Sequence, residues 1–210
     1  LSYAMRKTNE LALSNIEYAQ ADIMELSYLD RQFDLIESVG VLHHLGEPLT
    51  GWRILVDLVW PAGLMKIGLY SETARQHIID GRSLIAAKGY TTSPEDIRQC
   101  RQDIIAMAED GHAEMMKICS SRDFFSLSTC RDLLFHVQEH RFTLPQIKSA
   151  LKSLKLKFLG FEIENQDTMR KFKETNPKKG ALTSLSLWNK VELKNPDTFI
   201  GMYQFWCQKM

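Results

Sequence analysis

The stretch Phe33-Asp34-Leu35-Ile36-Glu37-Ser38-Val39-Gly40-Val41-Leu42-His43-His44-Leu45 decides how the chain around it is read. Phe33–Val39 has the length and apolar content of a strand, Gly40 interrupts it, and Val41–Leu45 carries the chain into a loop. Downstream, Pro48 and Leu49–Val59 predict a helix with Trp52, Leu55, Val56 and Val59 on one face. Trp60-Pro61-Ala62-Gly63 reads as a turn. Leu64–Tyr70 is nearly all apolar, as expected of a strand covered on both faces. Upstream, residues 3–13 have helical spacing, Ser14-Asn15 ends that helix, and Ile16–Asp22 alternates like a short strand. Helix and strand thus alternate over residues 1–70, the pattern of a parallel sheet with crossover helices.

Residues 71–142 break this alternation and read as helical, apart from an interruption at 89–92. Ser93-Pro94-Glu95-Asp96 has an N-cap serine, a proline at the first helical position and acids in the first turn. A further helix is predicted over Ser128–Gln138; His136 and His140, four apart, would share a helix face. The next helix starts at Thr143-Leu144-Pro145. Phe158–Ile163 is a strand, 173–180 is a polar loop expected to be mobile, and Thr198–Cys207 is a closing strand. On that last strand Tyr203 and Phe205 share one face and Trp206 points to the other. The organisation is therefore 1–70 as an alternating α/β segment, 71–142 as a helical insertion or lid, and 143–210 as a closing helix and strands of the same sheet.

Lys+Arg and Asp+Glu are equal at 26 each, so net charge gives no reason to expect nucleic acid or an anionic membrane as partner. No apolar run approaches the roughly 20 residues that span a bilayer. The four cysteines are widely spaced without a C-x-x-C pair, which speaks against structural zinc and a disulfide scaffold; they read as reduced thiols of a cytoplasmic protein. No Glu-plus-His zinc signature surrounds the histidines, and no metal is expected.

Three stretches in fixed order resemble the class I S-adenosylmethionine (SAM)-dependent methyltransferases, most closely the type 11 group. Tyr18-Ala19-Gln20-Ala21-Asp22-Ile23 is similar to the family's third strand and the turn after it, where an acid accepts from the adenine amino group. Phe33–Leu45 is similar to the fourth strand and its loop, which flank the methionine portion and the transferred methyl group. Leu58-Val59-Trp60-Pro61-Ala62-Gly63-Leu64 stands where the family has a turn with paired glycines before strand five. Ala62 replaces the first of those glycines, and if that glycine supplies a positive φ the turn must be strained or rearranged here.

The resemblance implies an incomplete Rossmann-like α/β sheet built from the equivalents of strands 3, 4, 5, 7 and 6, with SAM as cofactor. It places Asp22, Ile23, Glu37, Ser38 and Val39 in the cofactor site. His43 and His44 become candidates for proton abstraction or substrate orientation, since a neutral imidazole suits removal of a proton from a hydroxyl or amine. Tyr70, Arg75 and His77 become candidate contacts to a small-molecule or other methyl acceptor. The family's glycine-rich loop after strand one, and the ribose-binding acid after strand two, have no counterpart in these 210 residues. Residues 3–13 resemble the helix after strand two, so the chain is expected to start just past that acid, truncated and inactive alone. Strand four would then be an open edge, inviting a homodimer or an exchange of strand three between copies. The competing expectation is a non-catalytic remnant or binding module that self-associates through that edge.

Overall fold

The computed structural model describes residues 1–136, 138–163 and 165–210. Four strands form one sheet: β1 (Phe33–Val39), β2 (Val59–Tyr70), β3 (Leu156–Phe161) and β4 (Met202–Lys209). The order is β1-β2-β4-β3, with β1 and β2 parallel and β4 antiparallel to both its neighbours. That is the 4-5-7-6 half of the order implied by the resemblance.

Strand register divides the sheet into two unlike faces. Met65, Ile67 and Leu69 stand opposite Cys207, Phe205 and Tyr203, and all six are buried. Ile36 and Ser38 extend this face onto β1. Pro48 at the first turn starts α2 (Pro48–Asp57), whose buried Trp52, Leu55 and Val56 join the same core. α7 (Leu144–Ser153), opened by a Thr143/Gln146 capping box, adds Leu144, Ile147 and Leu151. The opposite face carries Leu35, Glu37, Lys66, Gln204, Trp206 and Gln208, none of them fully buried. β2 is therefore covered on one face, not on both as its apolar run suggested.

The turn at 60–63 lies within β2, where pairing with β1 slips between Phe33↔Val59 and Leu35↔Leu64. Ala62 has φ +64, so the left-handed conformation that the resemblance assigns to glycine is kept with a Cβ in place. Gly63 has no such freedom to vary: a Cβ there would meet the backbone oxygens of Trp60 and Asp34 at 2.9 and 3.0 Å. A left-handed alanine costs roughly 1–2 kcal/mol, and glycine adds unfolded-state entropy worth about 0.4–1 kcal/mol. Ala62→Gly is thus expected to stabilise by about 0.5–1 kcal/mol, read as a higher urea midpoint with unchanged slope.

The segment 71–142 has a core of its own. α3 (Gln76–Lys88), α4 (Pro94–Glu109), α5 (Ala113–Ser120) and α6 (Leu127–Leu134) bury Ile78, Ile97, Cys100, Ile104, Ile118, Phe124 and Cys130 against one another. Ser93 caps α4 as its sequence indicates, its side chain accepting from Asp96 N. α6 ends at Leu134, short of the expected Gln138, so His136 and His140 share no helix face.

Two further expectations are corrected. Residues 11–22 pair with no strand among the described residues and are exposed throughout, so the third strand is missing from the sheet; the leading helix, α1 (Ser2–Glu10), precedes it as expected. Alternation marks a strand only where a neighbour supplies hydrogen bonds and one face is buried. The segment after β3 also folds: α8 (Gln166–Thr175) and α9 (Leu185–Lys194) precede β4. The polar loop expected at 173–180 begins inside α8. No helix among the described residues is long and apolar enough to cross a membrane.

Candidate active site

The parallel strands β1 and β2 run the same way, so their carboxyl ends, Val39 and Tyr70, lie at one edge of the sheet, where open α/β sheets bind ligands. They approach closely there because Gly68 faces Val39: a Cβ on Gly68 would lie 2.7 Å from Val39 Cγ1 and 2.9 Å from its Cα. After β1, Gly40 adopts φ +77 and turns the chain into a short 3-10 turn, Leu42–His44. Gly51 of α2 lets that turn pack down, since its missing Cβ would stand 2.3 Å from Leu45 Cδ1 and 3.6 Å from Leu42 Cδ2.

The histidines thereby reach the end of β2. His43 is fully buried and stacks on Tyr70, ring centroids 3.7 Å apart at 28°. The Arg75 guanidinium lies over the same ring at 3.7 Å. Two groups this close to one ring centre fit only on opposite faces, so Tyr70 is sandwiched between His43 and Arg75. His44 meets Tyr70 edge-on, stacks on His136 at 4.0 Å and shares a 3.0 Å hydrogen bond between its Nδ1 and the Gln138 carbonyl. Burial, then the neighbouring His44 and Arg75, hold His43 down to about 3, so it is neutral at physiological pH. Among the described residues neither of its ring nitrogens has a well-formed hydrogen-bond partner, and the opposing pull of the Gly68 backbone is outweighed. Ser38, on the buried face of β1, likewise has a buried hydroxyl without a partner among the described residues.

On the other side of Tyr70 opens a cavity of about 610 Å³. Tyr70 at the end of β2 lines it with Arg75 and His77 from the start of α3 and with Ile200 and Met202 from the approach to β4; Lys117, Asp123 and Asp132 face it from further along the helical insertion. Burial, with Arg75 next in weight, lowers His77, so a neutral imidazole lines the cavity. The three residues singled out as acceptor contacts thus share one cavity. His43 and His44 lie behind Tyr70 and do not line it.

The residues proposed for the cofactor are less closely grouped. Glu37 and Val39 lie on the open face of β1, where Glu37 is 3.4 Å from Lys66. Asp22 is exposed and caps the 3-10 turn Ile23–Tyr28, accepting from Met24 N at 2.9 Å. Ile23 packs beside the histidine loop, 3.5 Å from the point a Gly51 Cβ would occupy.

Two features escaped sequence reasoning. Glu139 has a fully enclosed side chain that takes Arg75 with both oxygens (3.4 and 2.9 Å) and Arg82 at 2.9 Å. Its partners lie 57 and 64 positions away, beyond any local pattern. Glu192 of α9 is also buried, accepting from Ser71 at 2.8 Å and Tyr203 at 2.6 Å, and burial raises its carboxyl. Ser71 in turn accepts from Ala74 N, which fixes the turn leading to Arg75.

Residues 1–67 match the family described as Methyltransferase domain (Methyltransf_11). The matched segment runs from α1 through the histidine loop into β2, so the family similarity covers the parallel half of the sheet. PKMT2 from Rickettsia typhi in complex with AdoHcy superimposes with a TM-score of 0.74 at 13% identity, covering 100% of this chain and 42% of that one. A second structure of PKMT2 from Rickettsia typhi gives 0.70 at 13% identity, covering 98% of this chain and 41% of that one. The uncharacterized protein syc1184_c of Synechococcus sp. is 26% identical over 195 residues, 87% of this chain and 46% of its own length. The chain spans less than half the length of these relatives.

Proposed function

We propose that the protein transfers a methyl group from SAM to an acceptor held in the cavity between Tyr70 and the helical insertion. The observation that carries this reading is that Tyr70, Arg75 and His77 line one cavity with residues of the insertion, directly beyond the carboxyl end of β2. SAM supplies an electrophilic methyl on a sulfonium, and transfer is an in-line displacement whose rate comes largely from orientation. Ser38, with its unpartnered hydroxyl, and Val39 offer the β1 side of the cofactor's cradle, and Ile23 and Asp22 its outer rim. His77 is placed to accept a proton from the acceptor. His43, enclosed behind Tyr70, orients that ring. The insertion acts as a lid that keeps water from the reacting atoms. The acceptor is a small molecule or a side chain of a size the cavity admits. Free thiols on all four cysteines suit a cytoplasmic setting.

In this reading the 210-residue chain binds the cofactor poorly alone, because the glycine-rich loop must come from elsewhere. Two backbone hydrogen bonds forgone at about 1.5 kcal/mol each weaken binding about 100-fold. Calorimetric titration of AdoHcy into the full-length protein is expected to show saturable binding that Ser38→Phe weakens at least tenfold. Absence of binding there would sink the assignment, and tight binding by the 210-residue chain alone would refute the dependence on a supplied loop.

The second reading is an assembly module. β1 ends the sheet, Leu35 on it is 50% exposed, and Trp60 beside it is equally so. An unprotected apolar edge of this kind recruits another strand, giving a homodimer. Light scattering should then report a dimer that Leu35→Lys dissociates; a monomer at every concentration removes this reading.

A further inference from the structure

We propose that Glu139 is the positioning residue of the site, holding Arg75 against Tyr70 and Arg82 of α3 in place with one buried carboxylate. Seating of the helical insertion and placement of the Tyr70–His43 stack then become a single event. The proposal rests on the reading of the cavity as the acceptor site, but its test does not require methyl transfer.

Segment 138–142 runs across the carboxyl ends of both parallel strands. His140 N donates to His43 O at 2.8 Å, Phe142 N to Tyr70 O at 2.8 Å, and Glu72 N to Phe142 O at 2.9 Å. These bonds tie the segment to the histidine loop on one side and to the exit of β2 on the other. Glu139 projects from the middle of this strap. Its side chain is fully shielded, and that of Arg75 is 8% exposed. Arg82 is 23% exposed, as is Arg141, which lies 4.0 Å from Glu139 and hydrogen-bonds to Glu72 at 2.9 Å. A buried carboxylate is tolerable only with its charge matched and its lone pairs filled. Here both matching charges come from one helix, Arg75 as the N-cap of α3 and Arg82 two turns along it, so the carboxylate fastens α3 of the insertion to the strap across the strand ends.

The forked guanidinium of Arg75 serves both contacts at once. Its Nε and Nη2 face the two oxygens of Glu139, and its plane covers Tyr70. Freed of Glu139, Arg75 would be a buried cation without a counter-charge and would turn out toward water through the cavity. Tyr70 would lose one side of its sandwich, and His43, now packed between Tyr70 and the core, would gain room and solvent. Loosening α3 at Arg82 weakens the hold of the same carboxylate on the helix that begins at Arg75. A carboxylate that merely stabilised the edge of the insertion would leave His43 unaffected.

The test uses the whole chain with isotope-labelled histidine, followed by NMR alongside amide hydrogen exchange. In the unaltered protein His43 stays unprotonated from pH 8 down to pH 5. In Glu139→Gln, His43 is expected to titrate within that range, and the amides of α3 to lose protection by about tenfold or more while β2 and β4 keep theirs. Glu139→Asp, which keeps the charge but shortens the reach, restores the His43 behaviour in part. If Glu139→Gln does not fold, Arg82→Met takes its place, since it removes only the more exposed arginine; the same two changes, smaller, are expected together. Loss of α3 protection with His43 unchanged, in either variant, overturns the proposal, as does a His43 change with α3 still protected.

Discussion

Trp188→Ala is expected to cost this fold about 3–5 kcal/mol of stability. Trp188 is 1% exposed and stands at the centre of an aromatic cluster beneath β3 and β4. It stacks on Phe172 of α8 at 3.7 Å and 13°, meets Phe161 edge-on at 5.6 Å and lies 5.7 Å from Phe199. Its indole Nε1 donates to Leu182 O at 3.0 Å, so the ring also fixes the turn between α8 and α9. Truncation leaves a void lined by rings that cannot collapse together, and strands that carbonyl. Domains of this size hold about 5–15 kcal/mol in all, so the variant should unfold at a clearly lower urea concentration than the parent. Circular dichroism is the suitable probe, because tryptophan fluorescence changes with the substitution itself. A loss below about 1 kcal/mol would mean that α8 and α9 do not pack on the sheet as described. Trp188→Phe, which keeps the stacking with Phe172 but not the indole hydrogen bond, should cost clearly less.

This cluster also marks the limit of what the sequence discloses. Phe33–Val39 can be read as a strand with its observed bounds, because its neighbours on both sides, a polar turn and Gly40, punctuate it. The caps at Ser93 and Thr143 are equally plain, since a cap needs only residues within one turn of it. Even the odd geometry of Ala62 follows from a local substitution. Residues 165–195 have caps of their own at Asn165 and Ser184, but nothing local says what their helices pack on. Phe172 stands alone in a polar stretch and Trp188 in a mixed one, and their meaning comes from each other, sixteen positions apart. The same holds at the site. Tyr70, Arg75 and His77 follow a strand end and can be singled out from that alone. Glu139 looks like one more surface acid until the fold brings Arg75 and Arg82 to it. The error at Ile16–Asp22 is the converse case: the local pattern is good, but with no paired strand beside it the alternation leads to no sheet.

His43 gives the fold a dependence on pH whose sign can be worked out. Burial, His44 and Arg75 hold it down to about 3 in the folded chain, against an ordinary value of 6.5 when unfolded. The unfolded chain therefore binds a proton that the folded chain refuses. Stability associated with this group is fully present above the unfolded value and declines as pH falls below it, toward about 3. Between pH 7 and pH 5 the loss is about 2 kcal/mol. Other groups shift too: His77, lowered by burial, acts in the same direction, and Glu192, raised by burial, acts in the opposite one. The contribution of His43 is isolated by comparing the chain with His43→Phe, which fills a similar space against Tyr70 and brings no ring nitrogen into the core. At pH 7 that variant should be as stable as the parent or more so, because it removes a buried polar group without a well-formed partner. At pH 5 it should be the more stable by an additional 2 kcal/mol or so, read from urea midpoints at the two pH values. Parallel declines in the two proteins would mean that His43 is already solvated, and the sandwich of His43, Tyr70 and Arg75 would then not exist in solution.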